Sequence, residues 1–262
     1  MDSKGRPYTC FLLDLYPARY NNALMSAIDA RAKSRPRRSH RRVAAPRADD
    51  PRVIRSRAAV FDAARTLLLR QGYAATTMEE IAALAGLTKR TVYNNYGDKH
   101  ALFTQIIADV LAFAGTFARG LHDEFSAGVT AANLRDRLED LAQRMALAIV
   151  QPEVIALRRL LIGEARAFPG LAAEYFDRAP GQVINALASG FESLSRRGLL
   201  RVADKHCAAQ QFAYLVLGEP LDRAMLVGTL MPKEQVIACA REGVQTFLAR
   251  YGTASQRNGK PR

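Results

Sequence analysis

Residues 76–99 read TTMEEIAALAGLTKRTVYNNYGDK, and their spacing predicts two short helices joined by a tight turn, with a third helix beginning at the end. A threonine hydroxyl ahead of a helix accepts from an orphan amide of the first turn, and a glutamate three residues on reaches back to the threonine's own amide. Thr77 and Glu80 have that spacing. Ile81 and Leu84, with Ala82 and Ala85, make the apolar stripe of the first helix, and Gly86 supplies the positive φ that ends it. Leu87 follows, placed to pack back on the turn. Thr88 caps a second helix with Lys89, Arg90, Thr91, Tyr93, Asn94 and Asn95 on its polar side and Val92 and Tyr96 facing inward, and Asp98 caps the third. Such a pair matches the helix-turn-helix, in which the second helix enters the major groove of a DNA duplex. Lys, Arg and Thr in its first turn suit phosphates and guanine edges, and the capped amino end adds partial positive charge. The same charges suit a solvated helix surface, so the residue types alone leave both readings open.

The stretch 57–103 resembles the DNA-binding domain of the TetR family of bacterial transcriptional regulators. The matching residues are Ala63, Ala64 and Leu67, Gly72 and Tyr73, Thr76 and Thr77, Ile81 and Ala82, Ala85 and Gly86, Lys89, Val92 and Tyr93, Tyr96, Lys99, and Leu102 and Phe103. Ordered agreement of that density is far more specific than one short motif. Departures are Arg90, where the family commonly has a small residue, Asn95, where it has an aromatic, and His100, where it has Glu. The resemblance implies that Thr76, Thr77, Thr88, Lys89, Arg90, Thr91, Tyr93, Asn94, Asn95, Tyr96 and Lys99 lie at the DNA. Lys89, Tyr93 and Lys99 are assigned mostly to phosphates, and Arg90, Thr91 and Asn94 to base edges or nearby phosphates.

At 262 residues the chain fits two compact units. Hydrophobic residues are 49% of it, Trp is absent, and there is no long uninterrupted apolar run, from which no membrane span and a cytoplasmic protein are expected. Cys10, Cys207 and Cys239 are odd in number and lack metal-ligand spacing, so reduced, buried thiols are expected rather than disulfides or zinc. The net charge is +13, and residues 1–50 carry eleven Lys/Arg against five Asp, making this the most basic part per residue. A polyanion is the partner this favours. From 31 to 47 the chain is mostly Arg, Pro, Ser and Ala, too polar to offset its ordering entropy, and a disordered extension is expected. Its arginines (Arg35, Arg37, Arg38, Arg41, Arg42) suit an arm along a minor groove; a solvated tail, or a true start at Met25, fits as well.

Asp50 and Pro51 read as an N-cap and a first helical residue, opening a helix to about Arg70 that Gly72 closes. A fourth helix is expected from Lys99 to about Arg119, beginning in the DNA-binding unit and ending beyond it. From Ala131 onward every apolar stripe has helical period. Helices are expected through Leu134 to Ile149, after Pro152, around 171–178, from Pro180 to Gly198, from Asp204 until Pro220 interrupts, and at 234–251. The fold class is therefore all-α: a basic extension at 1–50, a helix-turn-helix domain at 51–103, a helical bundle at 104–251 and a polar tail at 252–262. The segments QPEVIALRRLLIGEARAFPGLAAEYF, RRGLLRVAD and AAQQFAYLVLG also resemble the C-terminal domain of the AefR-like branch of the TetR family, which implies a ligand-sensing and dimerisation domain.

Catalysis would require a nucleophile or acid/base set, a metal constellation or a cofactor loop, and none is legible. His40, His100, His122 and His206 are scattered, and no glycine-rich loop follows a strand. No enzyme, cofactor or metal is expected. A sensing function requires an apolar cavity with a few polar anchors, for which Phe113, Phe117, Leu161, Phe168, Tyr175, Phe176, Phe191, Phe212 and Tyr214, with Glu164 or Arg158 as anchors, are the candidates. Ordinary core packing is the favoured account of each aromatic taken singly. The expected partners are a double-stranded DNA operator, a small-molecule effector and a second copy of the chain, paired through helices at 205–218 and 234–250. A ligand-responsive repressor is the leading reading, an architectural DNA binder without ligand the alternative, and an enzyme that borrowed the domain a remote third.

Overall fold

In the computed structural model, residues 50–126 and 128–253 are described; the basic extension up to residue 49, with the alternative start, and the polar tail from residue 254 lie outside them. The chain divides into two units at Ser56/Arg57. Of the first, residues 50–56 are described. They form the opening turns of α1 (Pro51–Ala75), where the Arg52 amide donates to Asp50 Oδ1 at 2.8 Å. Everything from Arg57 onward belongs to the second unit.

Gly72 interrupts α1 with φ 83° and ψ 171°. The sequence expectation closes the helix here, whereas the chain makes one more turn, to Ala75, after the break. The Thr76 hydroxyl, completely buried, donates to Gly72 O at 2.7 Å and holds that turn. α2 (Met78–Leu84) begins with the expected capping box. Thr77 Oγ1 accepts from the Glu80 amide at 3.2 Å and Glu80 Oε2 accepts from the Thr77 amide at 2.9 Å. Its end is a Schellman turn: with Gly86 at φ 66°, the Leu87 amide donates to Ala82 O at 2.9 Å. α3 (Lys89–Tyr96) is capped by Thr88, and Asp98 Oδ1 accepts from the Ala101 amide at 2.7 Å to start α4 (Lys99–Ser126).

Beyond α4 come α5 (Leu134–Ile149), α6 (Pro152–Glu164), α7 (Pro169–Arg178), α8 (Pro180–Arg196), α9 (Lys205–Val227) and α10 (Lys233–Tyr251). Among the described residues the only pairing of strand type is an isolated bridge between Leu200 and Gly252. Two expectations are corrected. α4 continues about two turns past Arg119, carrying Leu121 and Phe125 into the bundle core. Pro220 does not end α9, although it leaves an interior carbonyl without its helical donor. Phe212, Ala213, Val216, Leu217, Pro220 and Ala224 all face inward, and burying that stripe outweighs the roughly 3 kcal/mol cost of an interior proline.

Two apolar cores result. One gathers Val60, Ala64, Leu67, Ile81, Val92, Phe103 and Ile107, and extends to Leu157, Leu160 and Leu161 of α6 and to Ala179. The other fills the bundle of α5, α8, α9, α10 and the far half of α4 around Phe191, Phe212 and Phe247. α4 is common to both. Its stretch Lys99–Leu121 is long and apolar enough to cross a bilayer by length and composition, against the expectation that no segment would be. Leu102, Phe103, Ile106, Ile107, Leu111, Ala118 and Leu121 are instead buried by neighbouring helices, so its hydropathy is that of a core helix.

Candidate nucleic-acid interface

α3 turns Val92 fully inward and presents Thr88, Lys89, Arg90, Tyr93 and Asn94 to solvent, with Thr91 half-buried between them. The geometry follows from the cap. Thr88 Oγ1 accepts from the Thr91 amide at 3.2 Å and shares a hydrogen bond with Thr91 Oγ1 at 2.9 Å, which fixes the first turn with its remaining amides pointing outward. Lys89 Nζ lies 2.7 Å from Glu79 Oε1, an ion pair in which both side chains are about half exposed (62% and 48%). That hydrogen bond is the main reason the Glu79 carboxyl is held below its ordinary range. Glu80 is lowered as well, by accepting first from the Thr77 amide and then from its hydroxyl.

The other expected contacts are mostly turned toward the protein or engaged in a cap. Thr76 is completely buried. The Tyr96 hydroxyl donates to Arg57 O at 3.0 Å, with the Arg57 guanidinium 4.9 Å above its ring, and burial pushes its pKa up. Thr77 is exposed with its hydroxyl engaged in the cap, and Asn95 is half-buried. Lys99 Nζ donates to Tyr73 O and to Thr76 O, each at 2.8 Å, and sits 4.2 Å from the centroid of the Tyr73 ring. Its ammonium clamps the link between α1 and α2 to the start of α4. Of the eleven residues assigned to DNA, six thus form one outward face: Thr88, Lys89, Arg90, Thr91, Tyr93 and Asn94.

Glu79 and Arg57 were not among the candidates. Glu79 is ten residues from Lys89, beyond a turn, and Arg57 is thirty-nine from Tyr96; neither separation has a local signature.

The ligand candidates scatter. Phe191 and Phe212 are fully buried in a solid aromatic stack with Phe125, Phe247 and Tyr251. Phe117 packs on that core from its edge. Leu161, Phe168 and Tyr175 belong to the other core. The Tyr175 phenol is raised by burial and hydrogen-bonded to Arg158, whose charge opposes the rise. Phe176 and Tyr214 stand 61% and 68% exposed, Glu164 is half-buried, and the Phe113 side chain lies outside the description. A small crevice does exist elsewhere, between Phe125, Val129, Leu134, Arg137, Leu138, Leu141 and Leu194, with room for about one water molecule. None of the eleven candidates lines it.

Comparison with known proteins agrees with this architecture. Residues 60–106 match the family model described as bacterial regulatory proteins, tetR family. Residues 136–253 match that of the AefR-like transcriptional repressor C-terminal domain. A structure from Mesorhizobium loti MAFF303099, assigned to the same family, is 28% identical with a TM-score of 0.69, over 78% of this chain and 100% of its own. The flavonoid-responsive regulator FrrA is 28% identical with a TM-score of 0.58, over 76% of this chain and 98% of its own. A TetR transcriptional regulator from Agrobacterium tumefaciens is also 28% identical, with a TM-score of 0.56, over 78% and 97%. No curated protein matches the chain.

Proposed function

Because the chain belongs to the TetR family and is a DNA-binding transcriptional regulator of the kind that family comprises, we propose that it is a repressor, binding a palindromic operator as a dimer and released by a small molecule. The observation that carries the reading is the outward face of α3: a threonine-capped first turn with Thr88, Lys89, Arg90, Tyr93 and Asn94 exposed together. Lys89 and Tyr93 engage phosphates, while Arg90, Thr91 and Asn94 reach base edges. Two copies of α3 enter successive major grooves, about 34 Å apart.

The second copy is held by α9 and α10. Tyr214 and Leu215 near the middle of α9, and Leu226 and Val227 at its end, are exposed, and these two apolar pairs support pairing there. The effector enters the helical body beside α4, where the Tyr175 ring supplies an apolar wall and Arg158, hydrogen-bonded to its phenol, a polar partner. An aromatic, largely apolar compound is the proposed class, in keeping with FrrA, which is flavonoid-responsive. Such a ligand lowers operator affinity by binding the displaced state better, typically by about 1–3 kcal/mol. A DNA partner fits a cytoplasmic location, and the family is one of transcriptional regulators rather than enzymes.

Selection from a pool of random duplexes by the purified full chain, followed by footprinting, tests the reading. A short two-fold site protected over both half-sites is the expected result. Uniform coating of any duplex would favour the architectural reading instead, for which the eleven Lys/Arg of residues 1–50 speak.

A further inference from the structure

Phe168 is the one aromatic side chain that the α6–α7 corner places against the start of α4. It precedes Pro169, which disfavours helical backbone at its position, and it is held at φ −128° and ψ 60° with its amide donating to Glu164 O at 2.9 Å. A corner so constrained delivers the ring in one direction. The ring packs edge-on against Tyr73 at 4.9 Å between centroids, and against Phe103 at 5.5 Å and His100 at 5.2 Å.

Tyr73 passes the contact on. Its ring lies under the Lys99 ammonium, and that ammonium joins the Tyr73 carbonyl to the Thr76 carbonyl, one residue before the cap of α2. A continuous set of contacts therefore runs from the α6–α7 corner to the helix-turn-helix. The element behind the corner is also the one least committed to the core. α7 has no fully buried residue, Pro-Gly pairs stand at both its ends, and the backbone leaves helical values at each junction, with Ala179 at φ −111° and ψ −84°. Few buried contacts make such a segment inexpensive to displace.

We propose that Phe168 is the positioning residue through which the helical body sets the angle of the DNA-binding head, with α7 as the element whose displacement moves it. The proposal rests on the reading of the chain as an operator-binding dimer, in which head angle decides the half-site spacing that fits.

The test uses the full chain and a two-fold duplex selected by the wild type, the same duplex with one or two base pairs inserted between half-sites, and a duplex with a single half-site. The wild type is expected to prefer the selected spacing by about tenfold or more. Phe168→Ala keeps single half-site affinity within about twofold and loses most of that preference, and Phe168→Leu, which refills the seat with an apolar side chain, recovers part of it. A Phe168→Ala protein that still discriminates like the wild type overturns the proposal. Equal loss of half-site binding and of discrimination also overturns it, since that marks a residue needed only for folding. If Phe168→Ala does not fold, Phe168→Leu decides: weakened spacing preference with intact half-site binding supports the assignment, and wild-type preference refutes it. A wild type that selects no duplex removes the underlying reading together with this one.

Discussion

Lys89 and Lys99 are ten residues apart and chemically identical, yet the structure uses them oppositely. Lys99 is half-buried, and the two carbonyls it serves lie in the last turn of α1 and in the link between α1 and α2. Charge-assisted hydrogen bonds of this kind contribute about 1.5–3 kcal/mol, so Lys99→Met is expected to lower the unfolding free energy, read by urea titration, by an amount in that range. Lys89 stands on the outward face with only an exposed ion pair to Glu79. Lys89→Ala should leave the unfolding free energy within about 0.5 kcal/mol while flattening the plot of log affinity against log salt by about one. A shared phenotype for the two variants would refute the division. Glu80 gives a pH signature at the same scale. Its folded pKa is lowered from the ordinary 4.5 by the Thr77 amide and hydroxyl, so its contribution is fully present above that value and is lost as pH falls through the lower, folded one. Acid unfolding of Glu80→Gln should therefore be less steep below about pH 4.5 than that of the wild type, as read by circular dichroism.

Among elements, α9 and α10 pack backbone against backbone. A Cβ built on Gly243 of α10 would lie 2.7 Å from Leu215 O and 2.8 Å from Leu215 C of α9. Those are backbone atoms that cannot swing aside, so Gly243→Ala must push the helices apart. Overpacking of this kind costs about 1–3 kcal/mol, and a lowered thermal midpoint is the expected readout. Helix boundaries were read well wherever a chemical cap marks them, as at Thr77, Thr88, Asp98 and Asp204. They were read poorly where packing overrides the local signal. Pro220 lies inside α9, and α1 resumes for a turn after Gly72, because burial of a stripe and of the Thr76 hydroxyl supplies what the local sequence lacks.

At the scale of the whole molecule, the proposed dimer and the basic extension each have a direct test. Tyr214 is 68% exposed in the single chain, so Tyr214→Glu should leave the fold of one copy within about 0.5 kcal/mol. It should shift sedimentation from dimer to monomer and weaken binding to a two-half-site duplex; a dimer unaffected by the change would move the interface elsewhere. Removing residues 1–47 should reduce the salt slope of operator binding by nearly one for each phosphate the arm neutralises, and an unchanged slope would leave the arm without a part in binding. The sequence alone determined the all-helical class, the capped helix-turn-helix and the polar face of α3, because caps, turns and apolar period act over three to five residues and are written in neighbouring positions. Only the tertiary structure decided which of those polar residues face outward and which are spent inside. Tyr96 meets Arg57, Lys99 meets Tyr73 and Thr76, and Phe168 leaves the expected ligand space for the head. Each of those contacts joins residues twenty to nearly a hundred positions apart, where nothing but the packing of one helix on another brings them together.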